Sequence, residues 1–519
     1  MPRGTVPTGE PARQPSTALV GLWLSLAVLG LAQACAPAAG PRRARFEIGL
    51  PFRPTTLDPH AFATTAYTSF VGSVYEPLVT LDARMRLRPG LAERWSNPDP
   101  LRTVFRLRRN VRFHSGRALR AADVVYSFRR ILAHPELEAG YYLVDVQEVR
   151  ALDEFTVEIL TRHAQPALLN RLAFVFIVPE GSGERLAREA DGTGPFAITA
   201  WRRGESGVLR RNASYREARP LLDEVSLNFG LTAERIESGL KRGAFDLAVL
   251  TDRGVRSSPP GYRTLSSDSL HVKYLAFDVA SAVTPFCDRR PNPFRDVRVR
   301  RAISVALDRP ELPGAFPGAT PMWQLVPPVV FGFNPAIPRP GPDLERARGL
   351  LREAGVAAGF RVTLHTRAFL RQAAAWVARQ LEPLGIRARV ETLPDDRYFE
   401  ALKRHELSLW LDHWGCTTGE SGELFENAMH SPDPAAGLGG FNESGFRDPE
   451  LDRLIEGSRG AAPFARRHAL EDLMRLTVDA APWIPLYVDR DYYVIAEPYW
   501  FEPYASLTLP LAEITRASH

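Results

Sequence analysis

The stretch VRFHSGRALRAADVVYSFRR, residues 111–130, decides how this chain is read. Val111 and Phe113 alternate with polar residues as a half-buried strand does, and Ser115-Gly116 break the run. Ala121-Ala122-Asp123 then opens a helix that carries Val124, Val125, Phe128, Ile131 and Leu132 at helical spacing. The segment is a strand, a turn and a helix, with nothing in it that looks like catalysis. Asp123 is expected to start the helix and Gly116 to make the turn.

Working outward, the chain has 519 residues, too many for one compact core, and its 45% hydrophobic and 24% charged content is ordinary for a soluble globular protein. Two or more domains are expected. The net charge of +5 comes from arginine, since Lys241, Lys273 and Lys403 are the only lysines among 65 Lys+Arg. These bases are spread among 60 acids with no clustered basic arm, so no nucleic-acid partner is expected.

The first forty residues differ in kind. Arg3 and Arg13 precede the apolar run ALVGLWLSLAVLGLA, residues 18–32, which small residues follow up to Cys35. This reads as an export signal, residues 1–35, because its apolar core is shorter than the ~20 residues a membrane span needs. Ala32-Gln33-Ala34-Cys35 resembles a lipoprotein cleavage box, in which Cys35 becomes a lipidated N-terminus. Ordinary signal-peptidase cleavage near Ala34 or Ala39 is the alternative. Either way a periplasmic or cell-surface location is expected, with a lipid anchor if Cys35 is modified. In that oxidising setting Cys287 and Cys416 are read either as a disulfide pair or as two free thiols.

Along the rest of the chain, FEIGL at 46–50 reads as a strand, followed by a loop through Leu57-Asp58-Pro59 and a helix from about Thr65 to Tyr75. Short alternating runs then give way, after about residue 233, to helix and strand units, and the chain ends in the β-like APWIPLYVDRDYYVI. This order suggests two lobes with the chain crossing between them more than once.

Nine segments carry a family resemblance: LDP at Leu57, VYEPLV at Val74, LRPGLAERW at Leu87, FRLRRNVRFHSGRALRAADVVYSFRR, GTGPF at Gly192, FRDVRVRRAISVALDR at Phe294, VPP at Val326, ARGLLREAG at Ala347 and APWIPLY at Ala481. In this order the chain resembles the bacterial extracytoplasmic substrate-binding proteins that serve ABC importers of peptides, nickel and related solutes. The resemblance implies an α/β, two-lobed, periplasmic-binding-protein type II-like fold. It places lobe I at 42–271 with an extra subdomain at 80–190, lobe II at 272–486, and a return to lobe I at 487–519. Arg300 and Arg301 are expected to be salt-bridging helix residues. The implied function is a monomeric receptor that captures a peptide or peptide-like small molecule between its lobes and delivers it to a membrane permease. The alternative is a surface lipoprotein with a signalling or chaperone-like role.

Enzymatic readings lack residues to carry them. There is no G-x-S-x-G, P-loop or HExxH, and the cysteines lack zinc spacing, so neither cofactor nor metal is expected. His405, His413 and His430 are read as scattered surface histidines.

Peptide members of the family hold the ligand's amino terminus with a carboxylate three residues after a Trp. In the run Trp414-Gly415-Cys416-Thr417-Thr418-Gly419-Glu420, that position is Thr417; a rival alignment uses Asp412. A neutral Thr417 cannot offset a buried ammonium, which disfavours a dipeptide held by its free amine unless Glu420 substitutes. Trp414 is expected to stack on the ligand, with Gly415 beside it. Thr64, Thr65 and Tyr67, together with His365, Arg367 and Arg371, are expected to line the cleft, either arginine holding a carboxylate by a two-pronged contact.

Overall fold

The strand Phe46–Gly49, with Ile48 fully buried, pairs in parallel with Glu224–Asn228 on one side and Leu247–Leu250 on the other. The computed structural model describes residues 45–250, 258–506 and 508–517, so the export signal and Cys35 lie outside the described residues. From that strand an 11-stranded sheet extends both ways. Towards one end come Glu224–Asn228, Ser206–Arg211 and Phe196–Arg202; towards the other come Leu247–Leu250, Trp483–Ala496, Tyr262–Phe277, Leu409–Gly415, Phe360–Thr366 and Ile386–Thr392, while the short Thr320–Pro321 pairs with Trp483–Ala496 off this path.

Two strands in this sheet are long, Tyr262–Phe277 with 16 residues and Trp483–Ala496 with 14, and each belongs to both halves. Residues 262–268 pair with 490–496, and 272–276 pair with 483–488, with a register shift between Asp268 and Val272. Such an irregularity bends a strand and interrupts the ladder. Each half has its own core. Phe70, Phe196, Leu227 and Tyr493 fill one, whereas the other half is packed on one face by Phe277, Phe294 and Trp376 and on the opposite face by Trp410, Phe425 and Trp483.

The opening stretch packs against a separate four-stranded antiparallel sheet made by Ala92–Asp99, Arg102–Leu107, Thr156–Thr161 and Val146–Asp153, and the strand expected at Val111–Phe113 is only a single bridge between Arg112 and Ala118. Val111 and Phe113 are buried against its core, Gly116 turns at φ +90°, and the helix Ala121–Ala133 buries Val124, Val125, Phe128 and Ile131. The helix begins where expected because Arg120 is extended and the Asp123 carboxylate accepts the Arg120 backbone N–H at 2.8 Å. Asp123 also accepts from the Glu180 N–H at 2.9 Å and pairs with Arg117, which ties the helix to the following chain.

The Leu57-Asp58-Pro59 motif is equally structural. Asp58 pairs with Arg130, whose guanidinium also lies 2.7 Å from His60 Nδ1, and His60 Nε2 reaches the Phe176 carbonyl at 2.8 Å. Burial, the dominant effect, drives the His60 pKa down to about 4, so the ring is neutral at pH 7.

One open alternative is decided here and one expectation is corrected. Cys287 and Cys416 are free thiols: Cys287 sits beside Val362 at the edge of one core, whereas the buried Cys416 donates its Sγ–H to the Glu420 carbonyl at 2.9 Å in another. Arg300 and Arg301 form no carboxylate pair. They donate to carbonyls at the end of the helix Pro463–Ala480, Arg300 to Ala480 at 2.6 Å and Arg301 to Asp479 at 2.7 Å. Carbonyls left open at a helix C-terminus attract cations, which explains arginine there. Among the described residues no helix is long and apolar enough to cross a membrane, and no three potential metal ligands converge.

Candidate functional site

The strands Phe360–Thr366, Ile386–Thr392 and Leu409–Gly415 run parallel, so their carboxyl ends emerge on one edge. Gly415 pairs with His271, which places that edge beside the register shift in the long strands. In open α/β sheets ligands bind outside the carboxyl ends of strands. Glycine at 415 lets the His271 ring pack against the strand end, since a Cβ there would lie 2.5 Å from His271 Nε2 and the ring would have to move.

Aromatic side chains crowd this edge. Trp414 is half-buried, with Phe441 edge-on at 6.1 Å and Trp483 at 5.8 Å, and its Nε1 has no acceptor. Phe369 is 60% exposed, Phe441 47% and Phe399 44%. Between them lies Arg367, its guanidinium 4.7 Å from the Phe369 ring centre, 5.0 Å from Phe399 and 5.7 Å from Tyr398.

The carboxylates named from the sequence are occupied. Asp412 is buried, accepts from Arg367 Nη2 at 2.6 Å and takes the His413 backbone N–H at 2.8 Å. Burial opposes ionisation of Asp412, but its contact with His413 and the Arg367 charge outweigh that and hold its pKa below the ordinary range. Asp412 is therefore taken by Arg367 and is not free to clamp a ligand's amine, whereas Arg367 keeps a buried Nε without an acceptor. Glu420 pairs with Arg466 in the interior, where burial raises its pKa. Thr417 is half-buried in the turn between them.

That turn touches the inserted sheet's subdomain. Asn170 Nδ2 donates to the Thr418 carbonyl at 2.7 Å, and Thr418 Oγ1 donates to Glu423 at 2.8 Å. Tyr141 donates to the same Glu423 carboxylate. The seam between the two parts of the molecule is therefore closed by hydrogen bonds at the Thr417 turn.

Other expected site residues lie elsewhere. Tyr67 is a core residue, its hydroxyl donating to the Asp58 carbonyl at 2.6 Å and its ring edge-on to Phe62, so it does not line the cleft. His365 is buried with its ring edge-on to Phe286 at 5.0 Å. Arg371 is exposed as the first residue of the helix Arg371–Leu381, while Thr64 is the exposed residue before the helix Thr65–Val71. His430 is buried rather than at the surface, bonded to Glu456 at 3.2 Å, and His405 meets the Glu443 carbonyl at 2.9 Å. Phe369, Phe399, Phe441, Tyr141 and Glu423 escaped the sequence reading. Only the position of Phe369, two residues after Arg367 at a strand end, could have drawn attention.

The family described as bacterial extracellular solute-binding proteins, family 5 Middle, matches residues 86–435. The di/tripeptide-binding protein 2 of Pseudomonas aeruginosa is 26% identical over 440 residues, covering 77% of this chain and 80% of its own length. A glutathione-binding protein of Salmonella choleraesuis is 26% identical over 496 residues, covering 90% and 93%. The structure of HbpA2 from Haemophilus parasuis superposes with a TM-score of 0.79 at 21% identity, covering 91% of this chain and 100% of that one. That superposition establishes the two-lobed fold. The chain belongs to the bacterial extracellular solute-binding proteins of family 5.

Proposed function

We propose that this chain is an extracytoplasmic receptor that closes its two lobes on a peptide or peptide-like small molecule and delivers it to the permease of an ABC importer. The observation that carries this reading is the strand edge beside the register shift, where the exposed Phe441 flanks Trp414, whose Nε1 has no acceptor, and the exposed Phe369 and Phe399 flank Arg367. A solute stacked there touches the part of the molecule that pivots, so capture and closure are one event. On this reading lobe I spans 42–271 with its subdomain at 80–190, lobe II spans 272–486, and 487–519 returns to lobe I. Trp414, Gly415 and Thr417 are the contacts offered to the solute. Its anchor is a diacylated Cys35, and the receptor acts as a monomer without enzymatic activity. No observation favours the signalling or chaperone-like alternative.

Native mass spectrometry of freshly purified protein tests the reading. A co-purified solute whose removal lengthens the molecule in solution scattering supports it. A cleft that stays empty against a peptide library, with no change in scattering, overturns it. Intact mass of the membrane fraction tests the lipid at Cys35.

A further inference from the structure

A second cleft, of about 1210 Å³, opens on the other side of the Thr417 turn. One wall comes from the inserted subdomain, at residues 84–87, 97–103 and 164–170; the other comes from lobe II, at 328–331, 419–420 and 459–467. A drug-sized ligand site occupies roughly 300–1,000 Å³, so this space is ample.

Pro98, Pro100, Pro166, Pro328 and Pro463 line it and offer no N–H at those positions, which leaves fewer donors for an extended main chain. Leu87, Leu168, Leu169, Val329, Val330 and Phe331 supply apolar surface instead.

Charge gives the polarity of the occupant. Five arginines face two carboxylates, and both carboxylates are already taken, Asp99 by Arg102 at 3.1 Å and Glu420 by Arg466. Two guanidinium groups are left under-used. Arg467 lies 4.4 Å over the Phe331 ring with no carboxylate at ion-pair distance among the described residues. Arg459 forms a long ion pair with Glu426 at 3.8 Å and donates Nη1 to the Ala436 carbonyl at 3.4 Å, yet its Nε has no hydrogen-bond acceptor.

The opposite wall has the complementary gap. Gln165 is 7% exposed and gives its amide nitrogen to Asp145, yet its Oε1 is buried with no donor. A buried acceptor without a donor is costly, and a ligand N–H relieves it.

We infer that this cleft binds an N-acylated amino acid: an acyl chain along the Leu168, Leu169 and Val330 surface, an amide N–H to Gln165, and a carboxylate to Arg467 and Arg459. Because the two walls belong to different lobes, its occupant holds the closed arrangement.

The test uses N-dodecanoylglycine as probe, with isothermal calorimetry on the full chain. Replacing the surface residue Arg467 in R467Q removes one charge-assisted contact and is expected to weaken binding about tenfold. L169W fills the cleft and is expected to abolish binding, with an unchanged melting curve to verify its fold. N-dodecanoylsarcosine, which lacks the N–H, is expected to bind about fivefold more weakly, the loss of one neutral hydrogen bond. Dodecyltrimethylammonium is expected not to bind. Both variants keep the solute that co-purifies with the wild type, so failure here is distinct from failure of the receptor reading. Absence of binding to the wild type, equal binding to all three proteins, or equal binding of the cationic probe overturns the inference.

Discussion

Two polar clusters in this molecule look alike in composition and differ in what remains unsatisfied. In the first, Asp58, His60 and Arg130 pair among themselves and with the Phe176 carbonyl, so the cluster has nothing left to offer. In the second, Arg367 and Asp412 also pair, but Arg367 Nε and Trp414 Nε1 are left without acceptors, and exposed Phe369 and Phe399 flank the arginine. The first cluster fastens a loop to the body of lobe I. The second presents a surface for a solute, and binding resides in what is left open.

The largest expected effect breaks the first cluster. Asp58→Ala leaves the Arg130 guanidinium buried and unpaired, and is expected to cost about 3–5 kcal/mol in denaturant melts. If the loss is small, the cluster is not the fastener described. Trp414→Ala is expected to leave the melt within about 1 kcal/mol and weaken solute binding by about 2 kcal/mol, roughly thirtyfold. The reverse pattern would make Trp414 a packing residue.

Next comes the missing clamp. Thr417→Asp places a carboxylate in the turn and is expected to tighten binding of dipeptides with a free amine about tenfold, with no gain for N-acetylated ones. An equal gain for both would show that the position does not face the ligand's amine.

A smaller effect concerns Glu443, whose pKa burial raises to about 7, with the nearby Asp412 charge adding to the shift. Its protonated form is favoured in the fold, so its contribution is present below the ordinary carboxyl pKa and is lost as pH rises towards 7. Glu443→Gln should therefore melt like the wild type at pH 4.5 and be more stable by on the order of 1 kcal/mol at pH 8. A shift equal at both pH values contradicts that ionisation. Last, both thiols are free, so a reductant should leave the melt unchanged, and a thiol reagent should label Cys287 in the native state but Cys416 only after unfolding.

Much of this organisation was legible in the sequence. The turn and helix at 111–130 were, because each rests on local chemistry: a glycine at positive φ and a carboxylate near a helix start; the strand expected at Val111–Phe113 is instead a single bridge between Arg112 and Ala118. The occupied state of the site was not. Asp412 and Arg367 are 45 residues apart, and Glu420 and Arg466 are 46 apart, so no spacing rule discloses their pairing. The same holds for Tyr141 and Glu423, which meet across the seam from segments 282 residues apart. Arg300 and Arg301 were misread for a related reason: an arginine on a helix suggests a carboxylate partner, whereas here the carbonyls of a distant helix end supply the acceptors.

The central claim is that the two lobes pivot about the register shift between Asp268 and Val272 and close on a solute. Electron-spin distance measurement tests it most directly. Labels enter at exposed positions on either side, Leu152→Cys in the subdomain and Phe464→Cys in lobe II, in a background with Cys287 and Cys416 replaced by Ser. The account predicts a broad, longer distance in the stripped protein that shortens and narrows when the co-purified solute is returned. One unchanged distance with the solute demonstrably bound would contradict it.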